Sequence, residues 1–142
     1  MYDGDQSITT KQTSATPDSY ELHDECLGNG SCTLIVRDAI ASNPQITNGS
    51  TTWPADWADF PSGNKQIGAS ALWAGEKVYD YYSKTFGRKS FDDQNHEIDL
   101  FINGNDLGHD NAYCNPLGFE KVGQVPNILF FGDGIAPGCN GP

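Results

Sequence analysis

The spacing of apolar and polar positions changes several times along this chain, and each change marks an element. Ser7-Ile8-Thr9-Thr10, Ser19-Tyr20-Glu21-Leu22 and Thr33-Leu34-Ile35-Val36-Arg37 are short runs of alternating or apolar character. Pro17-Asp18, Gly28-Asn29-Gly30 and Asn43-Pro44 separate them, which predicts strands divided by turns. From Thr52 to Phe60 the chain carries Trp53, Pro54 and Trp57, with Pro61 next, and prolines this close together exclude a long regular element. Between Asn64 and Phe86 there is no proline and the period lengthens. Ala71, Gly75, Val78 and Tyr82 fall on one helical face, with Leu72, Tyr79 and Phe86 at seven-residue intervals beside it. That predicts a helix over about 64–87, with Asn64 placed to cap its start and Gly87 to close its end. Asp80 and Lys84 make a favourable i,i+4 pair on it. The small residues Gly68, Ala69, Ser70, Ala71, Ala74 and Gly75 predict close packing against a sheet. Glu97 to Ile102 and Asn127 to Phe131 return to strand-like patterning, with an Asn/Gly/Asp-rich loop from Asn103 to Asp110 between them. The fold class is therefore α+β: mainly antiparallel sheet with one long helix packed on it, in a single domain over residues 1–142.

Composition narrows the class of partner. The chain has 8 Lys and Arg against 19 Asp and Glu, a formal net charge of −11, and a pI near 4.3. Such a surface repels phosphate backbones and anionic headgroups, so neither nucleic acid nor a membrane is an expected partner. Hydrophobic residues are 37% of the chain in short runs only, which excludes a membrane-spanning helix. With 16 Gly and 8 Pro, and only 19% charged residues, it is neither a disordered acidic tail nor a helical bundle.

Cys26, Cys32, Cys114 and Cys139 form an even set without a Cys-x-x-Cys spacing. Of the three pairings that four cysteines allow, the local one, Cys26–Cys32 with Cys114–Cys139, is the expectation. Asn29 and Asn48 each open an Asn-Gly-Ser sequon and are candidate glycosylation sites. Both features point to a secreted, extracellular protein. Met1 is followed at once by Tyr-Asp-Gly-Asp, so an exported chain would be a mature or trimmed form.

Candidate chemistry is sparse. His96-Glu97 begins like the zinc signature His-Glu-x-x-His, but Leu100 stands at its fifth position and the segment alternates like a strand. His23 and His109 are isolated in sequence. Neither a Gly-x-Ser-x-Gly elbow nor a phosphate-binding loop is present. The oxygens of Asn103, Asn105, Asp106 and Asp110 could hold calcium, but their spacing is not that of an EF-hand loop, and a solvated turn is the default. Residue chemistry alone thus gives a β-rich domain with no complete active site.

The order and wording of the segments say more. Asp5-Gln6-Ser7-Ile8-Thr9-Thr10, then Tyr20-Glu21-Leu22-x-Asp24 with Gly28-Asn29-Gly30, resembles the opening of the thermolysin-like zinc metalloendopeptidases. Val78-Tyr79-Asp80-Tyr81-Tyr82 through Phe86-Gly87-Arg88-Lys89-Ser90 to Asp92-Asp93 is similar to that family's first long helix and its exit. Asp110-Asn111-Ala112-Tyr113-Cys114-Asn115 resembles its Asn-Asn-Ala-Phe-Trp-Asn strand, and Phe131-Gly132-Asp133-Gly134 its Tyr-Gly-Asp-Gly turn. Each motif alone is weak, but together they keep the family's order from about Asp3 to Gly134. The resemblance implies the N-terminal, mainly β lobe of the peptidase, one wall of its cleft. There Asn111, Ala112 and Tyr113 would grip an extended peptide as an added edge strand.

The departures from the family shape the expectations. The His-Glu-x-x-His helix that follows the Gly-Asp-Gly turn in the family does not occur before Pro142. Both histidine ligands, the catalytic glutamate and the third ligand are missing with it. The family's calcium-binding acidic loop, expected near Thr47 to Trp53, reads Asn48-Gly49-Ser50. Cys114 replaces an aromatic, and Leu27 an arginine. On this reading the chain holds no catalytic residue, no metal site and no cofactor. It is a non-catalytic structural or binding module that assembles with copies of itself, head to tail, into a ring or filament. The arm of residues 1–13 would be its donor segment, and residues 135–142 a tail pinned by Cys139. Two alternatives stand beside it. One is a fragment of a complete zinc endopeptidase, whose partner would be the helical lobe; the other is an inhibitor or carbohydrate-binding module built on Trp53 and Trp57.

Overall fold

The computed structural model describes residues 6–25, 33–38, 46–53, 64–102, 112–114 and 128–131. Within them the elements follow in the order β1 (Lys11–Ala15), β2 (Asp18–Glu21), β3 (His23–Asp24), β4 (Leu34–Asp38), β5 (Thr47–Asn48), α1 (Asn64–Phe86), β6 (Ile98–Ile102), β7 (Ala112–Cys114) and β8 (Ile128–Phe131). They make a three-stranded sheet, β1-β2-β5, and a five-stranded sheet, β3-β4-β6-β8-β7.

The α+β expectation holds, and four of the six described strand pairs are antiparallel. The centre of the larger sheet is parallel, however, because β6 pairs with β4 on one side and β8 on the other in the same direction. The route explains the β4–β6 pair. The chain leaves β4, crosses through α1, and returns to the same end, which a hairpin cannot do.

The two sheets are joined by one continuous stretch. β1 and β2 form a hairpin through Thr16-Pro17, whose peptide bond is cis, with an irregularity between Gln12 and Ser14. β2 then passes at Leu22 into β3, which pairs with β4 in the other sheet. At that crossing Leu22 is fully buried, and its carbonyl accepts the Val36 N–H at 3.1 Å.

Strand β4 alternates buried and half-buried positions, so Leu34, Val36 and Asp38 share one face. Its parallel register sets Leu34 beside Ile98, Val36 beside Leu100 and Asp38 beside Ile102, which continues that face across β6. Leu22, Leu34, Val36, Ile46, Leu72, Leu100 and Ile102 are the buried apolar core, with Ile8, Trp53, Ile67, Ala69, Ala71, Tyr79 and Ile98 packed against it.

Helix α1 reaches this face closely because it presents glycines. An added Cβ on Gly68 would stand 2.6 Å from Leu22 Cδ1 and 3.0 Å from Ile46 Cδ1. One on Gly75 would stand 3.0 Å from Leu100 Cδ1. The helix ends as its sequence predicts: Gly87 takes a left-handed φ of 67°, its N–H donates to the Ser83 carbonyl at 2.9 Å, and the Arg88 N–H donates to the Tyr82 carbonyl at 3.3 Å. Lys84 Nζ lies 2.6 Å from Asp80 Oδ2, the expected pair.

The apolar face read from periodicity needs one correction. Leu72 is fully buried, but Val78 is 58% exposed, Tyr82 45% and Phe86 64%. The buried stripe is confined to the first two-thirds of the helix, and the aromatic end projects into solvent.

The described part of the N-terminal arm lies on its own chain. Ile8 packs on the core, β1 pairs with β2, and the Thr9 N–H donates to Glu76 Oε1 at 2.8 Å. Burial pushes the Glu76 carboxyl above its ordinary range. The Thr9 N–H draws it down, Asp24 raises it again, and Lys77 lowers it, with burial prevailing. A carboxyl raised in the fold favours folding below its unfolded value and loses that contribution as pH climbs through the raised one. Glu76→Gln keeps an oxygen for Thr9 and removes the charge. It is expected to raise Tm at pH 7 by about 1–2 °C. Scanning calorimetry should show the gain disappear below about pH 3, where the wild-type carboxyl is protonated in both states.

Candidate peptide-binding edge

In the sheet order β3-β4-β6-β8-β7, strand β7 is terminal. Ala112 pairs with Phe131, Tyr113 with Phe130 and Cys114 with Leu129, all antiparallel. No strand among the described residues pairs with its other side. In an antiparallel ladder successive residues direct their N–H and C=O alternately inward and outward. One of Ala112 and Tyr113 therefore bonds to β8 while the other offers its backbone to the open edge. An edge of this kind can accept an extended chain as one more strand.

The strands behind β7 are tied by charge as well as by their ladders. Arg37 on β4 reaches across the parallel register to β6, with Nε 2.8 Å from Asp99 Oδ1 and Nη2 3.9 Å from Glu97 Oε1. Below, the loop after α1 is locked by its own side chains. Ser90, Asp93 and Asn95 take left-handed φ values of 61°, 63° and 61°. The Lys89 N–H donates to Asp93 Oδ1 at 3.0 Å, and the Ser90 hydroxyl to the His96 carbonyl at 2.7 Å. Asp92 accepts the Gln94 N–H at 3.0 Å and pairs with the His96 ring. Desolvation presses the Asp92 carboxyl upward, but the bonds from the His96 ring and from the Gln94 and His96 N–H groups outweigh it and hold the carboxyl below its usual range. This loop delivers the chain into β6 at a fixed height.

Of the residues singled out in the sequence, the described ones separate into engaged and available groups. Ala112, Tyr113 and Cys114 form β7, and Asn111 lies outside the described residues. Cys26, Cys32 and Cys139 also lie outside them, so the expected pairings are not described. The same holds for Asn29, for Trp57, for the loop 103–110, for the Gly132–Gly134 turn and for the tail 135–142. Asn48 is engaged: its Nδ2 donates to the carbonyls of Ser50 at 3.2 Å and Thr52 at 2.7 Å, and its Oδ1 accepts from Lys65 Nζ at 3.3 Å. That carboxamide staples the turn before Trp53. Trp53 itself packs against the core, which removes it as an exposed platform for a sugar.

His23 is not isolated, as its sequence context suggests. Its Nδ1 lies 3.0 Å from Glu21 Oε1, both side chains are about nine-tenths buried, and they flank the passage from one sheet to the other. The signal in the sequence is the Glu-x-His spacing, which places both side chains on one face of an extended segment.

Zinc does not fit the described residues. No three of their His, Cys, Asp and Glu side chains come together to hold a metal. His23 is committed to Glu21 and His96 to Asp92. No helix among them is long and apolar enough to cross a membrane.

Comparison with known proteins agrees with the motifs. A search of curated proteins finds no match. The profile described as thermolysin metallopeptidase, catalytic domain, matches residues 1–135, nearly the whole chain. With its motifs and its mixed sheet under one long helix, the chain belongs to the thermolysin family of metallopeptidases, in the N-terminal region of the catalytic domain.

Proposed function

We propose that this chain serves as the substrate-binding lobe of a secreted thermolysin-like endopeptidase, and that β7 is the wall against which an extended peptide lies. The observation that carries the reading is the terminal position of β7, whose second side has no strand partner among the described residues. Asn111 at its entry would add a side-chain amide to the backbone bonds of Ala112 and Tyr113, as the family motif implies. Bond cleavage in the family uses a zinc-bearing His-Glu-x-x-His helix, a motif these 142 residues do not contain. This chain's own part is to align the peptide, with its backbone hydrogen bonds directed to one side.

Proline scanning tests this. Ala112→Pro and Tyr113→Pro each delete one N–H, but only one of those faces the open edge. The inward variant should weaken the fold. The outward one should keep the far-ultraviolet spectrum and lose the shifts that a capped, extended hexapeptide induces in the Ala112–Cys114 amides. Peptide-induced shifts confined to other surfaces of the labelled protein would overturn the reading.

A non-catalytic module that assembles with copies of itself is the second reading. The exposed aromatic end of α1 favours it, and that surface is independent of β7.

A further inference from the structure

We propose that residues 6–10 are a strap laid over α1 that acid tightens and neutral pH slackens, with the Glu76 carboxyl as its latch. The segment belongs to no strand, so no ladder holds it. It is tied by side chains and by one long-range bond. Ile8 is half-buried against the core, and the Thr9 N–H donates to Glu76 Oε1 at 2.8 Å, 67 residues away along the chain. Lys11 Nζ, where β1 begins, lies 3.2 Å from Glu25 Oε1, an exposed ion pair that contributes little. Contacts so few give a short segment its own opening equilibrium, separate from unfolding of the sheets.

The latch responds to pH because its surroundings treat the two forms of the carboxyl differently. Glu76 is half-buried on α1. Loss of water disfavours its carboxylate most, and the Thr9 N–H opposes that. Asp24, facing it from β3, repels the carboxylate, while the Thr9 side chain and Lys77, beside it on α1, attract it. The penalties prevail, so the carboxyl stands above its ordinary range while the strap is down. The neutral acid keeps the contact, because its carbonyl oxygen still accepts the Thr9 N–H. The carboxylate instead gains by opening, since it recovers water and turns away from Asp24. A group raised in the closed state holds that state below its open-state value, and the contribution is lost as pH climbs through the raised one. Lifting the strap draws Ile8 off the core and bares Ser7-Ile8-Thr9-Thr10, a run with strand-like patterning.

Amide hydrogen exchange on the full chain, read by nuclear magnetic resonance and corrected for the intrinsic rate at each pH, tests the proposal. Protection of the Thr9 amide should fall about twofold or more between about pH 3 and about pH 7, while the slowest amides of β6 report global opening. Glu76→Gln keeps an acceptor and removes the charge, so it should hold Thr9 at the acid level throughout. Glu76→Ala removes the acceptor and should leave Thr9 weakly protected at every pH. Protection of Thr9 that is constant with pH, or rises with it, overturns the proposal. So does a pH dependence that persists in Glu76→Gln, or full protection in Glu76→Ala. A loss at Thr9 matched by the β6 amides also overturns it, since the segment would then have no equilibrium of its own. The peptide-binding reading is scored separately, on the β7 amides.

Discussion

Gly68→Val is expected to lower the urea midpoint sharply. An ideal Cβ at Gly68 already stands 2.6 Å from Leu22 Cδ1, and Leu22 is fully buried where the chain passes between sheets. Valine adds two methyl groups to that collision. Leu22 cannot swing aside, because Ile46 Cδ1 lies 3.0 Å from the same point and Val36 Cγ1 3.5 Å. Helix propensity runs the other way, since valine is slightly better than glycine in a helix, but by well under 1 kcal/mol. Overpacking should prevail, with a net loss of about 3 kcal/mol and a fall in Tm of about 10 °C. Gly87→Ala is the control. Nothing lies within 4 Å of its Cβ, yet its φ of 67° strains any side chain. It should cost only about 1 kcal/mol. An equal loss at both positions would show that backbone conformation, not the closeness of helix and sheet, governs the fold.

Leu100→Ala should destabilise by about 3 kcal/mol, as expected for a leucine truncated in a packed core. Leu100 is 1% exposed and sits at the centre of β6, between Val36 on β4 and Leu129 on β8. The informative measurement is its coupling to Gly75. In the wild-type chain, Gly75→Ala gains about 1 kcal/mol of helix propensity but sets a methyl 3.0 Å from Leu100 Cδ1, so little net change is expected. In the Leu100→Ala chain that obstacle is gone, and the same methyl fills part of the cavity. Gly75→Ala should then restore about 1 kcal/mol. Denaturant curves on the four chains of this cycle would show the effect, and additivity would mean that the two residues do not share the space described.

Local structure was largely legible in the sequence, and pairing was not. The helix occupies residues 64–86 against an expected 64–87, because an uninterrupted 3.6-residue period and a terminal glycine are both local signals. Strands β2, β4, β6 and β8 fall within one residue of their patterns. The first strand is displaced: Ser7–Thr10 carries the β-prone pattern, but the ladder forms at Lys11–Ala15, where β2 is in reach. The two-residue strands β3 and β5 are too short to show a period. The parallel centre of the large sheet was hidden because side-chain alternation is the same in either direction. Only the strand–helix–strand order from β4 to β6 hinted at it. For the candidate edge, the motif around Ala112 marked the residues, but their place at the rim depends on β8, more than ten residues downstream.

That dependence orders events in time. Strands β4 and β6 can join as soon as α1 has folded between them, using contacts already translated. β7 emerges next from the ribosome yet has no seat, since the sheet at that moment ends at β6 and its neighbour is to be β8. Only when Ile128–Phe131 has been made can Ala112–Cys114 find its partner and be drawn back onto the outside of the sheet. The β7 rim therefore has no neighbour in the described sheet until β8 has been made. A nascent chain halted between β7 and β8 would carry Ala112–Cys114 in full while the sheet still ended at β6.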